Sequence, residues 1–134
     1  MPTLAEEMKS HALEAQKFSR KHLVLELDFS EASIQELENH YDNVAYALRG
    51  GMSPDNVALL TRLWGAYLGE SLRRATGAEW IEEPAATGRR LGLKGPGEKV
   101  VYPHDIIGSR LFDKTSGNVW EFFETAKELL TPDS

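Results

Sequence analysis

The succession of periodicities along the chain predicts an α+β fold: four helices and a small, mostly antiparallel sheet around a buried central helix at about residues 53–76. Three observations carry this expectation. Helical stripes occupy about residues 3–20, 30–50, 53–76 and 116–130, whereas period-two or turn-punctuated segments occupy 22–29 and 79–103. The third helical segment, VALLTRLWGAYLGESLRRATG, is apolar around most of its circumference, the pattern of a helix with neighbours on several sides. No repeat, low-complexity tract or linker divides the 134 residues, so residues 1–134 are read as a single domain with a real core.

The first helix begins with Thr3-Leu4-Ala5-Glu6, the spacing of a capping box, in which the glutamate reaches back to the cap's backbone N–H. Its stripe, Leu4, Met8, Ala12, Ala15 and Phe18, is thin, which places residues 1–20 at the periphery. The rhythm then changes to two in HLVLELDF. Leu23, Leu25, Leu27 and Phe29 share one face there, and Val24, Glu26 and Asp28 share the other, as in a half-buried strand.

Helix two opens on Ser30 as cap, with Phe29 and Ile34 placed as a hydrophobic staple. Ile34, Leu37, Tyr41, Val44 and Leu48 form its stripe, and Gly50-Gly51 stops it. Helix three repeats the device with Ser53 as cap, Pro54 at the first helical position, and Met52 with Val57 as staple. Gly65 and Gly69 lie four apart and stack on one face. Each weakens the helix by roughly 1 kcal/mol relative to Ala, a cost that close approach of a neighbouring main chain would offset. Gly77 ends this helix, with Arg73 and Arg74 in the last turn, where the dipole favours cations.

Three strand candidates follow: EWIEEP, broken by Pro84, then RRLGLKG and EKVVYP as a hairpin about Gly95-Pro96-Gly97. HDIIGSRLFD fits neither period. The last helix, 116–130, turns Val119, Phe122, Phe123, Ala126, Leu129 and Leu130 inward and stops at Thr131-Pro132.

Composition narrows the chemistry. The chain has no cysteine, which removes disulfides, thiolate nucleophiles and Cys-ligated zinc together. The net charge of −6 is uneven: residues 1–60 carry −5 and residues 61–134 carry −1. Phosphate neutralisation needs a basic surface, so nucleic-acid binding is not expected, whereas an acidic N-terminal half suits a basic protein partner. MPTLAEEMKS lacks the basic patch and apolar run of a signal peptide, and no 18-residue apolar stretch occurs. A cytoplasmic protein with no membrane span is expected.

Few residues suggest a reaction. The four histidines, His11, His22, His40 and His104, have no metal-ligand spacing, so no metal and no cofactor are expected. His104-Asp105 follows a proline-ended strand, where loops display functional groups, and is the histidine singled out; the others read as surface or boundary residues. GLKGPGEKV has the glycine separation of a phosphate loop, but Glu98 stands where the phosphate-binding lysine belongs. A hairpin turn is the better reading. Arg89, Arg90, Lys94 and Lys99 make that hairpin locally basic, either as a solvated surface or as a contact for an anion or acidic partner. Glu70 has two readings. It is either a local ion pair with Arg73 or Arg74, at i+3 and i+4, or a binding carboxylate beside the most apolar stretch of the chain. Trp64, Tyr67 and Trp80 are core candidates by spacing.

LLTRLWGAYLGESLRRATGAEW resembles a bacterial family of small domains of unknown function, marked by a Gly-Ala-Tyr-Leu-Gly-Glu helix and then a Gly and a Trp entering a strand. The likeness continues through VVYP and the Arg110 region to NVWEFFE, over about residues 28–130. Residue by residue it touches Gly65, Tyr67, Gly69, Glu70 and Trp80. The resemblance implies an α+β fold and no established activity. Small acidic domains of this kind also resemble immunity proteins that neutralise antibacterial toxins.

The expectation from sequence is therefore a non-enzymatic, cytoplasmic protein-binding domain, most concretely an immunity protein for a basic toxin domain. The outward acids Glu31, Glu36, Glu38 and Asp42 of helix two would be its contact face. No catalytic residue is assigned. One alternative is an enzyme or small-ligand binder with a pocket near Glu70, Arg73, Arg74 and His104. Another is an oligomeric scaffold subunit in which helix three pairs with its own copy.

Overall fold

The computed structural model describes residues 2–40, 47–86, 88–112 and 118–131. Helix α1 (Leu4–Leu23) starts on the Thr3–Glu6 capping box and ends at Val24, which takes the left-handed conformation (φ 52°). Met8, Ala12, Ala15 and Leu23 are buried, so α1 is part of the core and not peripheral as its thin stripe suggested. Small side chains let it approach closely, and close approach needs no wide stripe.

The strand expected over 22–29 does not form. Its alternation is real, with Leu25 and Leu27 buried and Val24 89% exposed. The backbone partners, however, come from helices. Leu25 N–H donates to the Ser19 carbonyl, the Leu27 carbonyl accepts from Gln16 Nε2 at 2.6 Å, and Phe29 N–H donates to Tyr67 Oη at 2.7 Å. With these groups satisfied, no ladder is required.

Helix α2 (Glu31–Asn39) is capped by Ser30, as expected, and buries Ile34 and Leu37. It is shorter than the 30–50 expected; Tyr41, Asp42 and Val44 lie outside the described residues. Helix α3 (Pro54–Thr76), with Ser53 as cap and Gly77 (φ 80°) as terminator, is the central element. Residues 63–72 are buried without interruption, two to three full turns with no solvent face. Helices α1 and α4 (Pro103–Phe112) are its main neighbours.

The sheet is antiparallel in the order β1 (Glu79–Ala85), β2 (Gly88–Lys94), β3 (Val100–Val101), with Trp80 opposite Leu93 and Leu93 opposite Val101. Pro84 was expected to break β1, yet it stays within it, paired with Arg89. Because β1 is an edge strand, a missing N–H facing outward is tolerated. A short 3₁₀ turn (Pro96–Glu98) joins β2 to β3 where the Gly95-Pro96-Gly97 hairpin was expected.

Residues 104–112 of the ambiguous HDIIGSRLFD segment lie in helix α4, which brings the described residues to five helices where four were expected. Ile107 and Leu111, four apart, are its buried positions. Helix α5 (Val119–Leu130), capped by Asn118, buries Val119, Phe123, Ala126 and Leu130. Leu129, expected inward, is exposed, since it lies off the stripe that these four define. Among the described residues no helix is long and apolar enough to cross a membrane.

Candidate functional site

The two glycines of α3 explain the arrangement around it. A Cβ on Gly65 would sit 2.4 Å from His104 Cδ2 and 3.0 Å from His104 Cα; one on Gly69 would sit 2.1 Å from Trp80 Cη2. The expected close neighbour was a main chain. What the helix receives instead is an imidazole at Gly65 and an indole at Gly69, with His104's backbone close behind its ring. The two rings lie 5.8 Å apart, centroid to centroid, tilted by 59°.

Glu70 belongs to the indole. It is 1% exposed and accepts from Trp80 Nε1 at 2.9 Å, while Arg73 grips both carboxylate oxygens, Nε to Oε1 at 3.0 Å and Nη2 to Oε2 at 3.0 Å. Such bidentate, charge-assisted bonding is what makes a buried carboxylate tolerable. Arg74 takes no part in it, because its guanidinium lies 3.7 Å above the Phe29 ring. The other motif residue is equally occupied: Tyr67 Oη accepts from Phe29 N–H and hydrogen-bonds Ser33 Oγ at 2.5 Å. Gly65, Tyr67 and the Gly69–Glu70 pair thus fasten α3 to three different stretches of chain, at His104, at Phe29 with Ser33, and at Trp80.

His104 faces another way. It lines a cleft of about 730 Å³ between α1, α3, the β1–β2 hairpin and the start of α4. Ala58 and Leu91 give the cleft apolar surface, with Met8 buried behind them, while His11, Thr61, Arg62, Arg89, Arg90 and Asp105 give it polar groups. Neither ring nitrogen of His104 has a hydrogen-bond partner, and neither has the buried Nδ1 of His11. Burial pushes the His104 imidazole down to about pH 4, with His11 and Arg89 pushing the same way and Asp105 and the Arg62 backbone opposing. At neutral pH it is therefore uncharged, with one donor and one acceptor to offer.

The arginines of the cleft are held by carboxylates from different elements. Arg89 pairs with Glu7 of α1 and, at 3.5 Å, with Glu82 of β1. The hydrogen bond from Arg89 holds the Glu7 carboxyl below its usual range. Arg90 donates from Nε to Asp105 Oδ2 at 2.9 Å and lies 3.4 Å over the Tyr102 ring. Arg62 stands 3.7 Å from Glu14.

The cleft sets an uncharged imidazole and paired guanidinium groups beside apolar side chains. An imidazole that titrates near pH 4 is a weak base at neutral pH and carries no proton to donate as imidazolium. No hydroxyl is hydrogen-bonded to either His104 nitrogen or to His11 Nδ1. Among the described residues no three His, Asp or Glu side chains group to hold a metal ion.

The acids named on helix two separate. Glu38 is 12% exposed at its side chain and accepts from Arg110 Nη2 at 2.8 Å and from the backbone N–H of Val119 at 2.7 Å, so it ties α2 to α4 and α5. Glu31 pairs with Lys127 at the surface, and Glu36 is exposed, 4.0 Å from His40 Nδ1. Asp42 lies outside the described residues.

Of the residues named from sequence as a ligand or ion-pair site, only His104 lines the cleft; Glu70, Arg73 and Arg74 do not. His11 and Arg62 were missed. His11 had a signal, since it adjoins the buried Met8–Ala12–Ala15 stripe, whereas nothing in the order of residues marks Arg62. The chain matches no family model, no curated protein and no solved structure, so the geometry alone supports a functional reading.

Proposed function

We propose that this protein is a non-enzymatic binding protein that takes a small ligand in the cleft between α1, α3, the β1–β2 hairpin and α4. One observation carries the reading: His104 and His11 line this cleft, and their buried imidazole nitrogens have no hydrogen-bond partner. A buried polar atom left unpaired costs about 1–3 kcal/mol, and folded proteins rarely retain one without a use for it. The cleft volume falls within the usual range of small-molecule sites. A fragment screen by NMR on the isotopically labelled protein tests this. Binding fragments should perturb His11, Thr61, Arg62 and His104 together. A screen whose binders all map elsewhere, or that yields none, defeats the reading.

A second reading keeps the acidic side of α2 for a basic protein partner, in the manner of an immunity protein neutralising a toxin. The net charge of −6 and the exposure of Glu31 and Glu36 favour it. It has lost one of its proposed contacts, because Glu38 is committed to Arg110 and Val119. Affinity purification from native cells, followed by hydrogen exchange on any complex, separates the two. Protection centred on α2 would place the second reading first.

A further inference from the structure

We infer that the cleft is selective for organic anions, an apolar body ending in a carboxylate or phosphate group whose charge is met by Arg62, Arg89 and Arg90. This rests on the reading of the cleft as a ligand site and adds the class of ligand. Three guanidinium groups and one carboxylate, that of Asp105, line the space. Glu14, the partner of Arg62, and Glu7 and Glu82, the partners of Arg89, do not line it, so the cleft wall itself presents more guanidinium than carboxylate groups. A guanidinium carries five N–H donors in a planar fork, more than one carboxylate partner uses, so Arg89 and Arg90 can stay paired and still bond a second anion. Their existing partners hold them in place: Glu7 and Glu82 for Arg89, Asp105 and the Tyr102 ring for Arg90.

The remaining lining fits the rest of such a molecule. Ala58, Ala85 and Leu91 offer apolar surface to its body. His104, which lines the space, is uncharged at neutral pH and so adds no further charge to it. A cationic ligand would meet three guanidinium groups on the cleft wall and one carboxylate, that of Asp105, which is already bonded to Arg90.

Titration with three aromatic probes of similar shape tests the inference at neutral pH: benzoate, phenyl phosphate and the neutral benzamide. Ring signals of His11 and His104 are followed by NMR. Either anion should shift both rings saturably while benzamide shifts them weakly, and the tighter anion identifies the preferred acid group. Arg62→Gln, at a half-exposed side chain with only a 3.7 Å ion pair to lose, should weaken anion binding about tenfold with an unchanged melting temperature. If benzamide binds as well as benzoate, or Arg62→Gln leaves the anion affinity unaltered, anion selectivity is overturned and the cleft remains a ligand site. If none of the three probes moves either ring, the inference and the proposed function both fall.

Discussion

Glu70 hydrogen-bonds the Trp80 indole, which is seated at Gly69, and His104 packs beside that indole at Gly65, yet the two are opposite in kind. Glu70 is surrounded: Trp80 and Arg73 supply its hydrogen bonds and it does not line the His104 cleft. His104 is packed as tightly against α3, but its two nitrogens have no partner and its ring borders an open space. Burial alone would rank them equally as functional candidates. What separates them is whether the polar atoms are satisfied, since a satisfied network stabilises a fold and an unsatisfied one leaves bonding capacity for a ligand.

The largest effect should come from the satisfied side. Glu70→Ala strands the Trp80 N–H, leaves Arg73 without its carboxylate and opens a cavity, at a combined cost of about 4 kcal/mol. Urea denaturation should show the midpoint falling at constant slope, with the cleft's ligand response unchanged in the folded fraction. A loss under 1 kcal/mol would mean that the Glu70 network does not hold the fold.

On the other side the lever is pH. His104 titrates near pH 4 in the folded protein and near its ordinary value of about 6.5 when unfolded. The unfolded chain therefore binds a proton first, so the stability linked to neutral His104 is complete above about pH 6.5 and is lost as pH falls towards 4. The full loss is about 3 kcal/mol. Glu7, whose carboxyl is held low by Arg89, contributes stability that disappears lower still, below its ordinary pH of 4.5. Denaturation measured from pH 7 to 4 should fall in the wild type, and His104→Gln should flatten that fall. An equal slope in both proteins would assign it to other groups.

Gly69→Ala addresses the shared helix. A methyl 2.1 Å from the indole must displace it, at a cost of roughly 1–3 kcal/mol. The same substitution in a Trp80→Leu background should cost clearly less, and the non-additivity measures the contact directly. Purely additive effects would show that the glycine serves some other neighbour.

How much of this was legible in the sequence depends on what each feature requires. Caps and stops are local, and Thr3–Glu6, Ser30, Ser53 and Gly77 all act where their neighbours in sequence indicated. The crowded circumference of α3 and the glycine pair correctly placed it at the centre, although the partners proved to be rings. Leu23–Phe29 misled because alternating burial can be met by helix side chains and carbonyls as well as by a ladder. The cleft was only half visible. His104, Arg89 and Arg90 stood out by type and setting, while Arg62 and His11 become partners only when α1 and α3 pack together.

The smallest effects test the acidic side of α2. Glu38→Gln removes a charged partner from Arg110 and weakens the acceptor for Val119 N–H, both half-buried, so stability should fall by about 1–2 kcal/mol. Glu31→Gln, at the surface pair with Lys127, should change stability by less than about 0.5 kcal/mol. Thermal melts of the two variants give the contrast directly. Each variant can then be titrated against any partner recovered from cells. If Glu31→Gln weakens that complex while Glu38→Gln only lowers the melting temperature, the contact face is the exposed part of α2 and the buried carboxylate is a tie between helices. Equal and negligible effects on binding from both would leave α2 without a role in recognition, and the cleft as the place where this protein meets what it binds.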